Sequence, residues 1–199
     1  MVELIYRTAK VYDFVKIAQT HIICFPNYFI SKLGENLVAN YYKEFVDEDN
    51  IFVIAESEGN IIGFCMGYLT GSNARDKFIA NNRSSLVKRL LLLCCKFDKL
   101  AISKCFSFIK SKFVKSKPTT SVKADGDLLS ICLRPEYRGS EIAPTLVFEF
   151  EKLLKEKNAK DYVLSVYKTN VGAIRFYEKC GLAIVGENDD EYKFYKKLV

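Results

Sequence analysis

The chain is poor in the residues that build metal sites and histidine-dependent catalysis. Its 199 residues contain one histidine, His21, and no tryptophan. Zinc sites need closely spaced thiols and imidazoles. The cysteines here are Cys24, Cys65, Cys94, Cys95, Cys105, Cys132 and Cys180, and no two form a C-x-x-C pair. No metal is therefore expected, and a histidine-based triad has only His21 to draw on. Internal repeats at solenoid spacing and low-complexity tracts are absent. The aliphatic run Leu90-Leu91-Leu92-Leu93-Cys94-Cys95 is too short to cross a bilayer. Residues 1–7 lack the apolar core and small-residue cleavage site of a signal peptide. An odd cysteine count without a disulfide framework adds to this, and the expected location is reducing and cytoplasmic.

What is present is ordinary for a globular protein: 49% hydrophobic and 27% charged residues. The length favours one domain, residues 1–199, with a sizeable core. The charge is unevenly spread. Residues 83–117 hold ten Lys or Arg against one acid, Asp98, for a local net of +9. The whole chain carries +6, so everything outside that segment is slightly acidic.

Residues 3–8 read as a strand. Val11, Phe14, Val15, Ala18 and Ile22 have helical spacing and end at Pro26-Asn27, and residues 33–46 form a second helical stretch. Residues 51–57 and 61–69 are apolar runs separated by Gly59-Asn60, a hairpin signal. Residues 71–124 interrupt the sheet pattern as a helical, basic insert. Within it Leu86, Leu90, Leu93, Phe97 and Ala101 share a helix face that Cys105 and Phe108 extend. Residues 115–125, with Pro118, read as an exposed linker. Strand 128–133, helix 141–157, strand 161–167, helix 170–179 and strands 182–185 and 191–198 follow. Alternating strand and helix in this half favours an α/β sheet.

Two runs carry the chemistry. Leu133-Arg134-Pro135-Glu136-Tyr137-Arg138-Gly139-Ser140-Glu141-Ile142-Ala143 follows a strand and opens a helix. A helix N-terminus offers unpaired N–H groups and partial positive charge to an anion such as a pyrophosphate. Some 30 residues on comes Asn170-Val171-Gly172-Ala173-Ile174-Arg175-Phe176-Tyr177-Glu178-Lys179-Cys180-Gly181-Leu182. Asn170 is well suited to cap a helix. Tyr177 lies about two helical turns on, roughly on the same face.

The order of these runs and of the strands around them resembles the GNAT superfamily of acetyl-CoA-dependent N-acetyltransferases. The resemblance is close over residues 128–187 and looser over 51–69. It implies a mixed, mostly antiparallel α/β sheet flanked by helices, with the insert between the third and fourth strands. It implies acetyl-CoA as co-substrate. The pantetheine arm would lie along the backbone of Ile131, Cys132 and Leu133. The pyrophosphate would lie on Arg138, Gly139, Ser140, Glu141, Ile142 and Ala143, with Asn170 beside the coenzyme. The family loop R/Q-x-x-G-x-G/A fits at Arg138 and Ala143. It departs at Glu141, where the family has Gly, and Pro144 removes one N–H donor.

By the same resemblance Tyr177 protonates the leaving thiolate and Asp127 accepts the proton of the attacking amine. The other carboxylate position of the family, on the strand before Asn170, holds Ser165 here. On the acceptor side the expected contacts are His21, Phe25 and Phe29. The expected acceptor is a primary amine of a small molecule, an amino sugar or nucleotide-linked sugar suiting the basic insert. The alternatives are a protein N-terminal or lysine acetyltransferase, or a weakened binding module of the same fold. Residues 83–117 also suit peripheral contact with an anionic membrane surface, or a packed helical pair with a solvated basic face. They carry no motif for reading nucleic acid. A homo-oligomer is compatible with all of this.

Overall fold

The computed structural model describes residues 4–46, 50–96 and 123–198. Seven strands form one sheet in the order β1-β2-β3-β4-β5-β7-β6. They are β1 (Leu4–Thr8), β2 (Asn50–Ser57), β3 (Asn60–Leu69), β4 (Gly126–Leu133), β5 (Asp161–Tyr167), β6 (Ala183–Glu187) and β7 (Glu191–Lys197). Only the β4–β5 pair is parallel; all other neighbours are antiparallel. The helices are α1 (Phe14–Cys24), α2 (Glu35–Lys43), α3 (Ala74–Asn81), α4 (Arg83–Cys95), α5 (Ile142–Glu156) and α6 (Val171–Lys179).

The sheet separates two apolar layers. On one face α1 and α2 bury Phe14, Ile17, Val38, Tyr41, Tyr42 and Phe45 against Phe52, Phe64 and Met66. On the other, α5 and α6 bury Leu146, Phe150, Leu154 and Tyr177 against Cys65, Leu128, Leu164 and Phe194. Without tryptophan, Phe and Tyr rings fill the first layer. The Tyr42 ring lies 5.2 Å from Phe64 and 5.6 Å from Phe52, in the tilted and edge-on arrangements that aromatic quadrupoles prefer. Burial on both sides explains why residues 61–66 of β3 are apolar without alternation.

Helix α3 starts at Ala74, twelve residues before Leu86, the first residue of the helix face read from the leucine spacing. Helix α4 follows that spacing: Leu93 is buried and Leu86 packs on the α1–α2 core, while Val87, Leu91 and Leu92 face outward. Arg89 of α4 donates to the carbonyl oxygen of Lys32 at 2.9 Å. Phe97, Ala101, Cys105, Phe108 and most of the 115–125 linker lie outside the described residues, as does most of the 83–117 segment. Among the described residues no helix is long and apolar enough to cross a membrane.

Candidate functional site

The sheet opens in its middle. Strand β4 pairs with β5 only at Gly126↔Tyr162 and Asp127↔Val163. With β3 it stays paired as far as Leu133. Beyond Asp127, one edge of β4 is therefore unpaired, and the gap widens toward the strand's C-terminus. A bulge lies beside the point of separation. Ser130 faces Met66 and Leu128 faces Gly67, which leaves Leu129 as an extra residue on β4. An extra residue bends its strand and raises its twist. Gly67 permits the close approach there, since a Cβ would collide with the Asp127 carbonyl and stand 2.8 Å from the Phe150 ring.

The ladder also decides which peptide groups face the gap. The Arg134 N–H donates to the Ile62 carbonyl at 2.8 Å, so Gly63↔Leu133 is a pair without mutual hydrogen bonds. By alternation Leu133 and Ile131 turn their N–H and C=O groups away from β3, into the open edge. Cys132 turns its own toward β3. Two of the three residues expected to hold an extended arm thus turn peptide groups toward it, although the Leu133 carbonyl already accepts from Arg138 Nε.

The open edge leads to the loop before α5. Residues Pro135–Tyr137 make a 3-10 turn, and Gly139 has φ +79°. That left-handed conformation is cheap for glycine alone. The first internal bond of α5 runs from the Thr145 N–H to the Glu141 carbonyl at 3.0 Å. The Ser140 hydroxyl donates to the Tyr137 carbonyl at 2.6 Å and receives the Ile142 N–H at 3.4 Å. Among the described residues, nothing accepts from the N–H groups of Gly139, Ser140, Glu141 or Ala143. Glu141 is the helix cap residue, its side chain exposed and making no capping bond. Its carboxylate takes none of the loop's N–H groups. Pro144 sits in the first helical turn, where a missing N–H does least harm to the helix. Arg138 is exposed beside the loop, its Nε 3.5 Å from the Leu133 carbonyl. Four unclaimed donors at a helix N-terminus, with a guanidinium beside them, fit a pyrophosphate.

Helix α6 follows β5, the other strand that borders the gap. The Asn170 side chain accepts the Ala173 N–H at 3.2 Å and caps the helix, while the residue stays exposed. Tyr177 is 7% exposed, its ring 5.4 Å from Phe176 and 5.8 Å from Phe194. Its hydroxyl bonds to no described residue. Burial pushes its pKa up strongly, with the Cys65 and Cys180 thiols and the Tyr28 hydroxyl adding to the shift.

Asp127 stands where β4 and β5 part. Its cross-strand partners are Tyr68 and Val163, which place it on the α1–α2 face of the sheet. Tyr177 belongs to the opposite layer. A group lying in the gap would meet Tyr177 from one side and Asp127 from the other. Burial raises the Asp127 pKa, and the charges of Lys193 and Arg75 with the Tyr68 hydroxyl draw it part of the way back.

The acceptor-side expectations divide. His21 is only 4% exposed; its Nδ1 lies 2.6 Å from the Tyr42 hydroxyl, and its Nε2 is buried without a partner. Burial pushes its pKa down to about 4. The His21 ring belongs to the core under the sheet face. Phe25 packs between His21 (5.0 Å) and Tyr28 (4.9 Å), and Phe29 packs on the same core. The aromatic residue nearer the gap is Tyr28, 44% exposed, whose hydroxyl acts on both Tyr167 and Tyr177. Reasoning from sequence missed Tyr28, Tyr68, Arg75 and Lys193. Their grouping depends on strand register and on where the insert packs.

Comparison with known proteins bears on the same region. Residues 108–182 match the model of the acetyltransferase (GNAT) family. A spermidine N(1)-acetyltransferase from Thermoplasma acidophilum is 30% identical over 97 residues, 49% of this chain and 55% of that protein. The match thus spans about half the length of that relative. Among solved structures, the PaiA N-acetyltransferase of Thermoplasma acidophilum in complex with coenzyme A is similar over 98% of this chain and 99% of its own. Its TM-score is 0.60 at 16% identity. The ribosomal-protein-S18-alanine N-acetyltransferase of Escherichia coli covers 98% of this chain and 94% of its own, with a TM-score of 0.60 at 11% identity. At such identities these two establish the shared fold.

Proposed function

We propose that the chain contains a GNAT-family acetyltransferase domain and that it transfers an acetyl group from acetyl-CoA to a primary amine of a small molecule, a reading supported by the match over residues 108–182 and by the shared fold. The observation that carries this reading is the gap between β4 and β5, which ends on a loop with four unclaimed N–H groups. An extended amide-bearing arm fits an unpaired strand edge as an added strand would. Residues 1–199 act as one domain, with residues 71–124 inserted.

Acetyl-CoA enters as the second substrate and supplies the acetyl group as a thioester. Ile131 and Leu133 hold the arm through their outward peptide groups. The loop from Arg138 to Ala143 holds the diphosphate, and the exposed Asn170 amide is a further polar contact. The Leu133 N–H is a donor for a carbonyl oxygen at that edge. Asp127 takes a proton from the acceptor ammonium, so that the neutral amine attacks. A carbon–nitrogen bond forms, the carbon–sulfur bond breaks, and Tyr177 gives its proton to the departing sulfur; the second proton that the attacking nitrogen sheds restores the Tyr177 phenol, and Asp127 releases its own to water. Burial keeps the phenol protonated at neutral pH, as a proton donor requires.

The six described cysteines are free thiols, in keeping with a cytoplasmic protein. The relative named for spermidine supports an amine acceptor without identifying it here. The test is thiol release from acetyl-CoA with a panel of amines, beside calorimetry with coenzyme A. Amine-dependent release with micromolar binding is expected. A protein that binds no coenzyme at saturating concentration is not an acetyltransferase.

A further inference from the structure

Resting on the acetyl-transfer reading, we propose that the acceptor is an amine carrying an anionic group a few bonds from its nitrogen, selected by Arg75 of the insert and Lys193 of β7. The shared chemistry is an ammonium beside a carboxylate or a phosphate.

The insert leaves and rejoins the sheet next to Asp127. Leu69 pairs with Gly126, the Thr70 N–H donates to the Asp125 carbonyl at 2.8 Å, and the Thr70 hydroxyl bonds the Ala124 carbonyl. Helix α3 is then pinned by two buried residues, Ala74 and Phe78. The Phe78 ring meets Tyr41 at 5.3 Å, nearly perpendicular. Arg75 lies one residue beyond Ala74 and is exposed. Its charge reaches Tyr41, Tyr68 and Asp127. The insert thus places a cation over the acceptor side of the site.

The second cation comes from the other flank. Lys193 pairs with Ser165, two residues along β5 from Val163, the partner of Asp127. Residues two apart on a strand share a face. Asp127, Val163, Ser165 and Lys193 therefore lie on one surface, and the Lys193 charge reaches the carboxylate. Serine at position 165 puts no acid beside Asp127 at the point where the strands part; the other acids of that surface stand at its two ends, Asp161 bonded by the Tyr195 hydroxyl at 3.0 Å and Glu191 opposite Tyr167. None of the ion pairs among the described residues involves Arg75, Lys193 or Asp127.

Asp127, the carboxylate where the strands part, with a cation on either flank, is a poor match for a polyamine. Its first ammonium would meet Asp127, and the next would meet Arg75 or Lys193. An amine with a nearby anion satisfies all three charges. Electrostatic selectivity of this kind works by repelling the wrong partner as much as by attracting the right one.

The experiment is thiol release measured for matched pairs: α-amino acids against their amides, glucosamine 6-phosphate against glucosamine, and spermidine alone. The anionic member of at least one pair should exceed its neutral counterpart in kcat/KM by about tenfold or more, and exceed spermidine. The amino-acid and sugar-phosphate arms distinguish a carboxylate from a phosphate. Arg75→Ala should reduce that preference at least fivefold, about 1 kcal/mol, and Arg75→Lys should restore part of it. Spermidine as the best acceptor, or an Arg75→Ala loss shared equally by both members of a pair, overturns the proposal. Acetylation of spermidine alone sinks the selectivity and leaves the acetyl-transfer reading standing. Failure to bind coenzyme A sinks that reading too.

Discussion

Replacing Tyr177 with Phe tests the mechanism with little disturbance to the fold. The hydroxyl makes no hydrogen bond to a described residue, so its removal leaves no orphaned partner. The expected cost in stability is under about 1 kcal/mol. The ring contacts with Phe176 and Phe194 survive in phenylalanine. The chemical effect is different in scale. A positioned general acid contributes roughly 10²–10⁴-fold, or about 2.7–5.4 kcal/mol at about 1.36 kcal/mol per decade. Single-turnover acetyl transfer, which isolates chemistry from product release, should slow by that factor. Coenzyme A affinity by calorimetry should move less than about threefold, because the proposed coenzyme contacts are the loop and the strand edge. Burial raises the phenol pKa, so the parent protein should show no loss of rate attributable to Tyr177 below about pH 10. A Tyr177→Phe protein with more than about a third of the parent rate would show that the sulfur leaves without this proton.

Asp127→Asn should lower kcat/KM by about 10²-fold or more with saturating coenzyme. In the parent protein the rate should fall as pH drops through a midpoint above the ordinary carboxylate value, because burial raises the Asp127 pKa. A raised carboxyl pKa means that folding takes up a proton there, so its contribution to stability grows as pH falls, and Asp127→Asn should not lower the Tm at pH 7. Gly139→Val should strain the φ +79° position by about 1–2 kcal/mol. It should weaken coenzyme A binding about tenfold or more, read by calorimetry; unchanged binding would move the diphosphate off this loop. His21 works in the opposite pH sense. Its folded pKa of about 4 lies below its ordinary 6.5, so stability present above pH 6.5 is lost as pH falls toward 4. The loss amounts to about 3 kcal/mol at about 1.36 kcal/mol per unit. Denaturant melts should show this decline, and His21→Gln should flatten it.

The parts of the site made of backbone were the legible ones. A strand, a glycine, a helix start and a capping Asn are written in local residue order, so the loop from Arg138 to Ala143 and the cap at Asn170 could be placed before any coordinates. Glu141 was harder to read. As a letter it puts a carboxylate among the phosphate contacts. As a residue at the helix cap it offers its N–H to the loop and leaves its side chain in solvent. His21 shows the reverse: its chemistry suggests a base, but α1 turns it into the aromatic core, where burial pushes its pKa down.

The cation pair was illegible for a further reason. One extra residue at Leu129 shifts the β3–β4 register, and the residues of β4 that share a face on either side of a bulge no longer follow simple alternation. Asp127 therefore reaches Tyr68 and, across β5, the surface that carries Lys193. Arg75 reaches it only because the chain detours through the insert and returns beside its own exit at Thr70. The proposed coenzyme side of the site is thus a product of local sequence. The proposed acceptor side is a product of register and of one insertion, and on this reading it is the side that can change its substrate while the strand edge and the loop before α5 stay as they are.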